Sequence, residues 1–423
     1  MQKKLLTVAV ASALAVPAIA VAQSTTEVYG TVNMAFGQFR YTDGSTTQNN
    51  NATTVGASAS KWDVANGASN YGVRSRENLG GGLSGWVQIE QNAPLERSSN
   101  QAIKPASRNS AIGLQGGFGN FFMGQWTTPW ADLDALWGIG TVGFWGPVTS
   151  IIGRRETTGT APNPNCVNGE GATPGGTTTG AGTVVCDALE GGGGVGHAFW
   201  RRASNAIFYQ SPVMAGVQVK LAYQTNEGKA TSNTPVGATQ GTNANPWLMS
   251  GSVQWAGMGG RARIGAAYDK HADFTAIGTT DTGYSVKGGW NFGVIDVGLA
   301  YEAMTYKPLA GDVKAKQYAV ALAVPVGPGS IRASWSKAKD LEGTGIGTLT
   351  DTGATQYNIG YEHRFSKRTN VGIGYAKIDN KSNAQFTWTG APPNQSQSAA
   401  IPTNTPLFGS DVSTFFISMT HRF

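Results

Sequence analysis

One pattern constrains this chain more than any other: apolar and polar residues alternate in short segments from near the start to the last residue. "VQVKLAYQ" puts Val217, Val219, Leu221 and Tyr223 on one side and Gln218, Lys220, Ala222 and Gln224 on the other. "VIDVGLAYE" sets Ile295, Val297, Leu299 and Tyr301 against Asp296, Gly298, Ala300 and Glu302. The terminal "STFFISMTHRF" sets Phe415, Ile417, Met419, His421 and Phe423 against Thr414, Phe416, Ser418, Thr420 and Arg422. A side-chain period of two is that of an extended strand. About sixteen such ribbons follow one another. Their connections alternate in length. The short ones are "LGGG", "GGFG", "PVMA", "GMGG", "FG", "VGPG" and "FSKR". The long ones lie near residues 40–60, 92–106, 127–202, 226–245, 271–280, 307–313, 339–353 and 379–410.

A two-faced ribbon suits a soluble sandwich or a membrane barrel, and the rest of the chain separates them. Beyond the first 22 residues no segment approaches the roughly 20 apolar residues of a spanning helix. A membrane crossing by this chain is therefore made by strands. Charged residues are 13% of the chain, against about 25% in typical domains, and there are 59 glycines. Short turns at one rim and long loops at the other describe an outer-membrane barrel. In lipid every backbone polar group must be satisfied within the protein, so the sheet closes. Sixteen strands enclose an aqueous channel rather than a packed core. Tyr223, Tyr268, Tyr301 and Tyr361 stand near strand ends, as interfacial girdles require. The expected fold is all-β: a 16-stranded antiparallel transmembrane β-barrel over residues 23–423. Strand parity turns Arg74, Arg76, Lys220, Arg261, Arg263 and Arg332 inward, with Glu90, Asp296, Glu302 and Glu362.

The first residues set the compartment. Lys3 and Lys4, an apolar run from Leu5 to Ile19, and "AVA" before Gln23 form a secretory signal peptide over 1–22. The run is too short for a spanning helix and ends on the cleavage pattern. Its removal takes the formal charge from +6 to +4. The remaining Lys and Arg are dispersed, with no basic run among base-stacking aromatics, which excludes a nucleic-acid partner.

The chemical constellations are sparse. The four histidines, His197, His271, His363 and His421, stand in no nucleophile or metal motif, so neither catalysis nor a metal is expected. No cofactor is expected either. "GGGGVG" (Gly191 to Gly196) lacks the strand before and the helix after that a dinucleotide site needs, and it reads as loop. Cys166 and Cys186 share the long third connection. In an oxidising compartment such a pair forms a disulfide, and a metal site would need further ligands nearby. Trp126, Trp130, Trp137, Trp145 and Trp200 cluster in or beside the same connection. They either pack it against a wall or offer a stacking surface to aromatic or sugar-like solutes. The second reading would make the channel solute-specific.

Several stretches, in order, carry a family resemblance: "EVYGTVN", "YGVRSRENLGGGLSGWVQIE", "SRNSAIGLQGGFGNFFMGQW", "RASNAIFYQSP", "YEHRFSKRTNVGIGYAKIDN" and the terminal "HRF". The chain resembles the general (non-specific) porins of Gram-negative outer membranes, of the beta-proteobacterial kind. The resemblance implies a homotrimer among outer-membrane lipids, with the long third loop folded into the lumen as a constriction. It implies passive diffusion of small hydrophilic solutes. It makes Phe423 part of the signal read by the barrel-assembly machinery. Arg74, Arg108 and Arg202 match the family's wall arginines, and Asp134 matches an aspartate of its third loop. With Arg76, Asp132 and Glu156 they form the expected pore constriction. Asn70, Gln125 and Gly143 depart from the pattern: Arg is usual at the first two, and an acid at the third. A slight basic surplus predicts weak anion preference. A solute-specific channel on the same barrel, or a structural or adhesive barrel, are the alternative functions.

Overall fold

The computed structural model describes residues 24–45, 55–56, 58–67, 69–93, 95–96, 105–152, 199–226, 230–231, 243–274, 278–307, 311–344, 350–388 and 407–423. The segment 1–22, Glu156, Cys166, Cys186 and His197 lie outside the described residues.

The barrel strands are β1 (Thr25–Tyr41), β2 (Ala59–Asn66 and Asn70–Gly80), β3 (Leu83–Asn92), β4 (Ser110–Gly116), β5 (Gly119–Thr127), β6 (Arg202–Gln210), β7 (Val217–Gln224) and β8 (Trp247–Gly257). They continue with β9 (Ala262–Ala272), β10 (Thr280–Asn291), β11 (Asp296–Tyr306), β12 (Val313–Val326), β13 (Gly329–Ala338), β14 (Ala354–Arg364), β15 (Thr369–Asn380) and β16 (Val412–Arg422). Each pairs antiparallel with its neighbours in sequence. A two-residue strand, Glu342–Gly343, extends the ladder of β12 at the loop end. β16 closes the ring on β1, from Tyr41↔Val412 to Thr31↔Arg422. The Phe423 N–H then donates to the Gly30 carbonyl at 3.1 Å, and the Gly30 N–H donates back at 3.2 Å. The last residue is thus held by a ladder pair.

Alternation sorts the two faces as expected. Leu221, Ile264, Leu299, Ile359, Ile373 and Ile417 lie on the outer face and are exposed. Toward the loops that face carries aromatic residues in cross-strand contact. Tyr301 and Tyr318 stand 5.1 Å apart, and Tyr375 and Phe415 stand 4.6 Å apart. Toward the turns it carries Trp290, Phe292, Phe365 and Phe423. Such bands suit a membrane's two interfaces. No helix among the described residues is long and apolar enough to cross a membrane.

Three details differ from the sequence reading. Arg261 sits in the turn before β9, exposed, rather than on the wall. His271 does not open a loop; it is buried within β9. β2 is broken at 67–69, where Ser69 Oγ accepts the Asn33 N–H at 2.9 Å and donates to the Asn33 carbonyl at 3.1 Å. A side-chain hydroxyl there replaces a backbone rung, and Gly67 leaves room for a ring from the third loop.

Candidate permeation pathway

The connection between β5 and β6, here L3, carries its first 25 residues along the inner face of the barrel. It begins with a short helix, α1 (Pro129–Asp132), capped by the Thr128 hydroxyl. The chain then meets successive strands. Trp130 Nε1 donates to Glu302 of β11 at 3.0 Å. The Leu136 carbonyl accepts from Arg263 of β9 at 2.6 Å. The Thr141 carbonyl accepts from Arg332 of β13 at 3.2 Å, and the Trp145 carbonyl accepts from Asn358 of β14 at 2.6 Å. Ser150 bonds to Gln356 of the same strand.

Packing reinforces these contacts. Trp130, Leu133, Trp137, Val142 and Trp145 are at most 1% exposed. A buried aromatic removes roughly 200 Å² from water, which at about 25 cal/mol per Å² is several kcal/mol apiece. The partners on the wall are small. A Cβ at Gly298 would meet the Trp137 backbone, and one at Gly372 would meet Val142. Trp145 stacks edge-on against Phe39 and Phe416 at 4.9 Å from each. Phe144 sits over Gly67, at the break in β2. Three of the five tryptophans therefore serve as packing. Trp126 joins them on the wall, in a cluster with Trp86 and Phe122.

The described L3 carboxylates, Asp132 and Asp134, turn to the wall beside the loop. Asp132 meets Lys220 of β7 at 3.1 Å. Asp134 meets Lys287 of β10 at 2.7 Å and also accepts from the indoles of Trp137 and Trp200 at 2.9 Å and 2.6 Å. Lys287 is wholly buried and bonds Glu302 at 2.8 Å as well. Burial pushes the Asp132 carboxyl above the usual range, and the Lys220 ammonium pulls it partly back. Protonating Asp132 removes a negative charge and releases Lys220. Anion preference should therefore rise as pH falls, at a higher pH than an ordinary aspartate would give, and Asp132→Asn should blunt the rise. Zero-current potentials over an acid titration check this.

The arc from β1 to β6 carries the remaining expected residues. Arg74 pairs with Glu27 across β1 and β2 and lies over the Tyr29 ring at 5.0 Å. Tyr29 donates to Glu90 at 3.0 Å, and Arg108 pairs with Glu90 at 2.6 Å. Arg74, Tyr29, Glu90 and Arg108 thus form one chain of contacts. Arg76 reaches only the Ser84 hydroxyl, at 3.2 Å, near the turn end. Arg202 donates to Asn109 at 3.0 Å, beside Arg108 in sequence. The two L3 aspartates are engaged by lysines, while Arg74 and Arg108 are engaged by wall glutamates. Elsewhere Arg263 pairs with Asp296 at 2.6 Å and Arg332 with Glu362 at 2.8 Å.

Lys287 is the central residue that the inward list did not contain. Its signal was present: Tyr284 and Val286 face out in "TGYSVKGG", so Lys287 faces in. Among the described residues no group of His, Cys, Asp and Glu is arranged to hold a metal.

A closed sixteen-strand ring with an apolar belt, a polar charged lumen and a loop laid against the inner wall defines a transmembrane channel. A family model described as Gram-negative porin matches residues 7–383, and the chain belongs to that family. It is 27% identical over 402 residues to outer membrane porin protein 32 of Delftia acidovorans, covering 90% of each chain. Among solved structures, the anion-selective porin from Comamonas acidovorans superposes with a TM-score of 0.60 at 19% identity, covering 95% of this chain and 100% of that one. OmpT of Vibrio cholerae in its trimer form gives 0.58 at 14% identity, covering 95% and 99%. These structures share the fold. The chain is an outer-membrane porin, a channel for passive diffusion.

Proposed function

We propose that the channel passes small hydrophilic solutes with a preference for anions, and that it works as a homotrimer. One observation carries the preference. Glu27, Glu90, Asp132, Asp134, Asp296, Glu302 and Glu362 each lie against an arginine or lysine. Arg76, Arg364, Lys367 and Arg422 have no carboxylate partner among the described residues. These seven acids are answered, and these four cations are left over. Charge at a narrow, low-dielectric lumen sets selectivity, and screening over about 8 Å confines the effect to nearby ions. The trimer reading draws on the family and on the trimer form of the Vibrio protein.

The narrow region is assigned to Arg74, Arg76, Arg108 and Arg202 facing L3, with Asp132, Asp134 and Glu156 on the loop. Zero-current potentials across a KCl gradient should show anion preference, reduced in Arg108→Ala. Cation preference would sink the reading.

Two further assignments accompany it. Residues 1–22 are removed on export. Cys166 and Cys186 form a disulfide that closes a loop of about 20 residues, worth roughly 3 kcal/mol in the loop-entropy account. Intact mass with thiol labelling of unreduced envelope protein should find no thiol; two thiols would refute the bond.

A further inference from the structure

We propose that the vestibule on the short-turn side holds a binding pocket for small dianionic oxyanions, built from Arg332, Arg364, Lys367 and Arg422. The pocket rests on the anion-preferring channel reading and adds a solute class to it. A cavity of about 480 Å³ lies between Gly138–Gly143 of L3 and the turn that joins β14 to β15. That volume falls within the range of small-ligand sites, roughly 300–1,000 Å³. Four cations line it, and Glu362 is the carboxylate among its lining residues. Glu362 is held by Arg332, which is itself fixed by the Ser330 hydroxyl at 3.0 Å and the Thr141 carbonyl at 3.2 Å.

The other three cations are differently placed. The side chains of Arg364, Lys367 and Arg422 make no hydrogen bond or ion pair with the described residues. They converge on one concave space from β14, the following turn and β16. The rest of the lining is mostly threonine, serine, asparagine and glycine, which offers hydroxyl and amide donors and little apolar surface. A neighbouring cavity of about 370 Å³ shares Gly138, Arg332 and Arg364, so these two arginines stand between two cavities.

Guanidinium forks match the paired oxygens of carboxylate and phosphate, and lysine adds a point charge. A monoanion satisfies one such group and leaves the others uncompensated. A dianion can meet two at once, which is what a cluster of cations around one cavity rewards. Short dicarboxylates and phosphate monoesters share this chemistry. The pocket lies beyond L3 for a solute arriving from the loop side, so it would draw dianions from the narrow region toward the turn-side exit.

The test is current block of the purified full-length channel in planar bilayers at fixed KCl. The probes are succinate, glycerol 3-phosphate and acetate. Half-block by at least one dianion should come at a concentration about tenfold below that of acetate, the scale of one added charge-assisted contact. Arg364→Gln combined with Lys367→Gln should abolish most of that difference. Arg261→Gln removes an exposed cation of another short turn outside the cavity and should leave it intact. Block by succinate alone assigns the pocket to dicarboxylates; block by glycerol 3-phosphate alone assigns it to phosphate esters. Dianions no better than acetate, or a double variant that blocks like the parent, would overturn the pocket. The same recordings give the KCl reversal potential. Anion preference without dianion block defeats the pocket and leaves the channel reading standing; loss of anion preference in the parent defeats the channel reading itself.

Discussion

Lys287→Met should cost the barrel about 3–5 kcal/mol of stability, the usual scale for removing one partner from a buried ionic group. Lys287 is wholly buried and holds Asp134 of L3 at 2.7 Å and Glu302 of β11 at 2.8 Å. Without it two carboxylates face each other with no cation between them. Glu302 retains the Trp130 indole and Asp134 retains two indoles, but these neutral donors do not cancel a charge. The variant should lose its heat-modifiable folded form at lower temperature, and its single-channel conductance should become noisy as L3 loosens. Restoring neutrality with Asp134→Asn and Glu302→Gln in the same chain should return much of the loss, a coupling a double-mutant cycle would register. An unchanged unfolding midpoint in Lys287→Met would show that L3 is held by its tryptophans alone.

Deleting Phe423 should sharply reduce the yield of folded barrel. Phe423 contributes the final ladder pair of the seam, with both its N–H and its carbonyl engaged by Gly30. Its ring lies where a Cβ on Gly30 would be, so residue 30 must stay small. Loss of the residue opens two rungs at the rim, where unpaired backbone groups are costly. Gly30→Val should imitate the deletion by displacing the ring. The measurement is the fraction of heat-modifiable protein in outer-membrane preparations. Normal yields in both variants would show that the Phe423 seam is not needed for assembly.

The strands and their order were legible because parity leaves a strong trace when one face meets lipid and the other water. "VQVKLAYQ" and "STFFISMTHRF" admit one orientation each. The break in β2 shows as a slip of parity, the outward face running through Trp62 and Val64 before it and Tyr71 and Val73 after it. What fills it was not legible, since Phe144 lies 77 positions from Gly67 and Ser69 bonds Asn33. Inward-facing charges could be assigned by parity, as Arg263 and Glu302 were. Their partners could not, since pairing depends on which strand L3 passes. Asp132 and Asp134 lie in "ADLDAL", and nothing local says that they reach Lys220 and Lys287. Arg364 and Lys367 stand in "HRFSKR", where a turn normally carries solvated charge. Only the closed ring, by bringing Arg422 and Arg332 alongside, makes them a group.

The first 25 residues of L3 touch β8, β9, β10, β11, β13 and β14 and reach β1, β2 and β16. Mechanically it is an inner hoop riveted over part of a thin-walled tube. A single closed sheet yields most readily by ovalising, its strands shearing past one another. A hoop fastened at many points suppresses that mode beneath it. Among the described residues the hoop makes no such fastening to the arc of β3 and β4, next to Arg108, so the compliance is left there. Lateral pressure from the bilayer should therefore change the bore by moving that arc toward a nearly rigid opposite side, as one jaw moves against a fixed anvil.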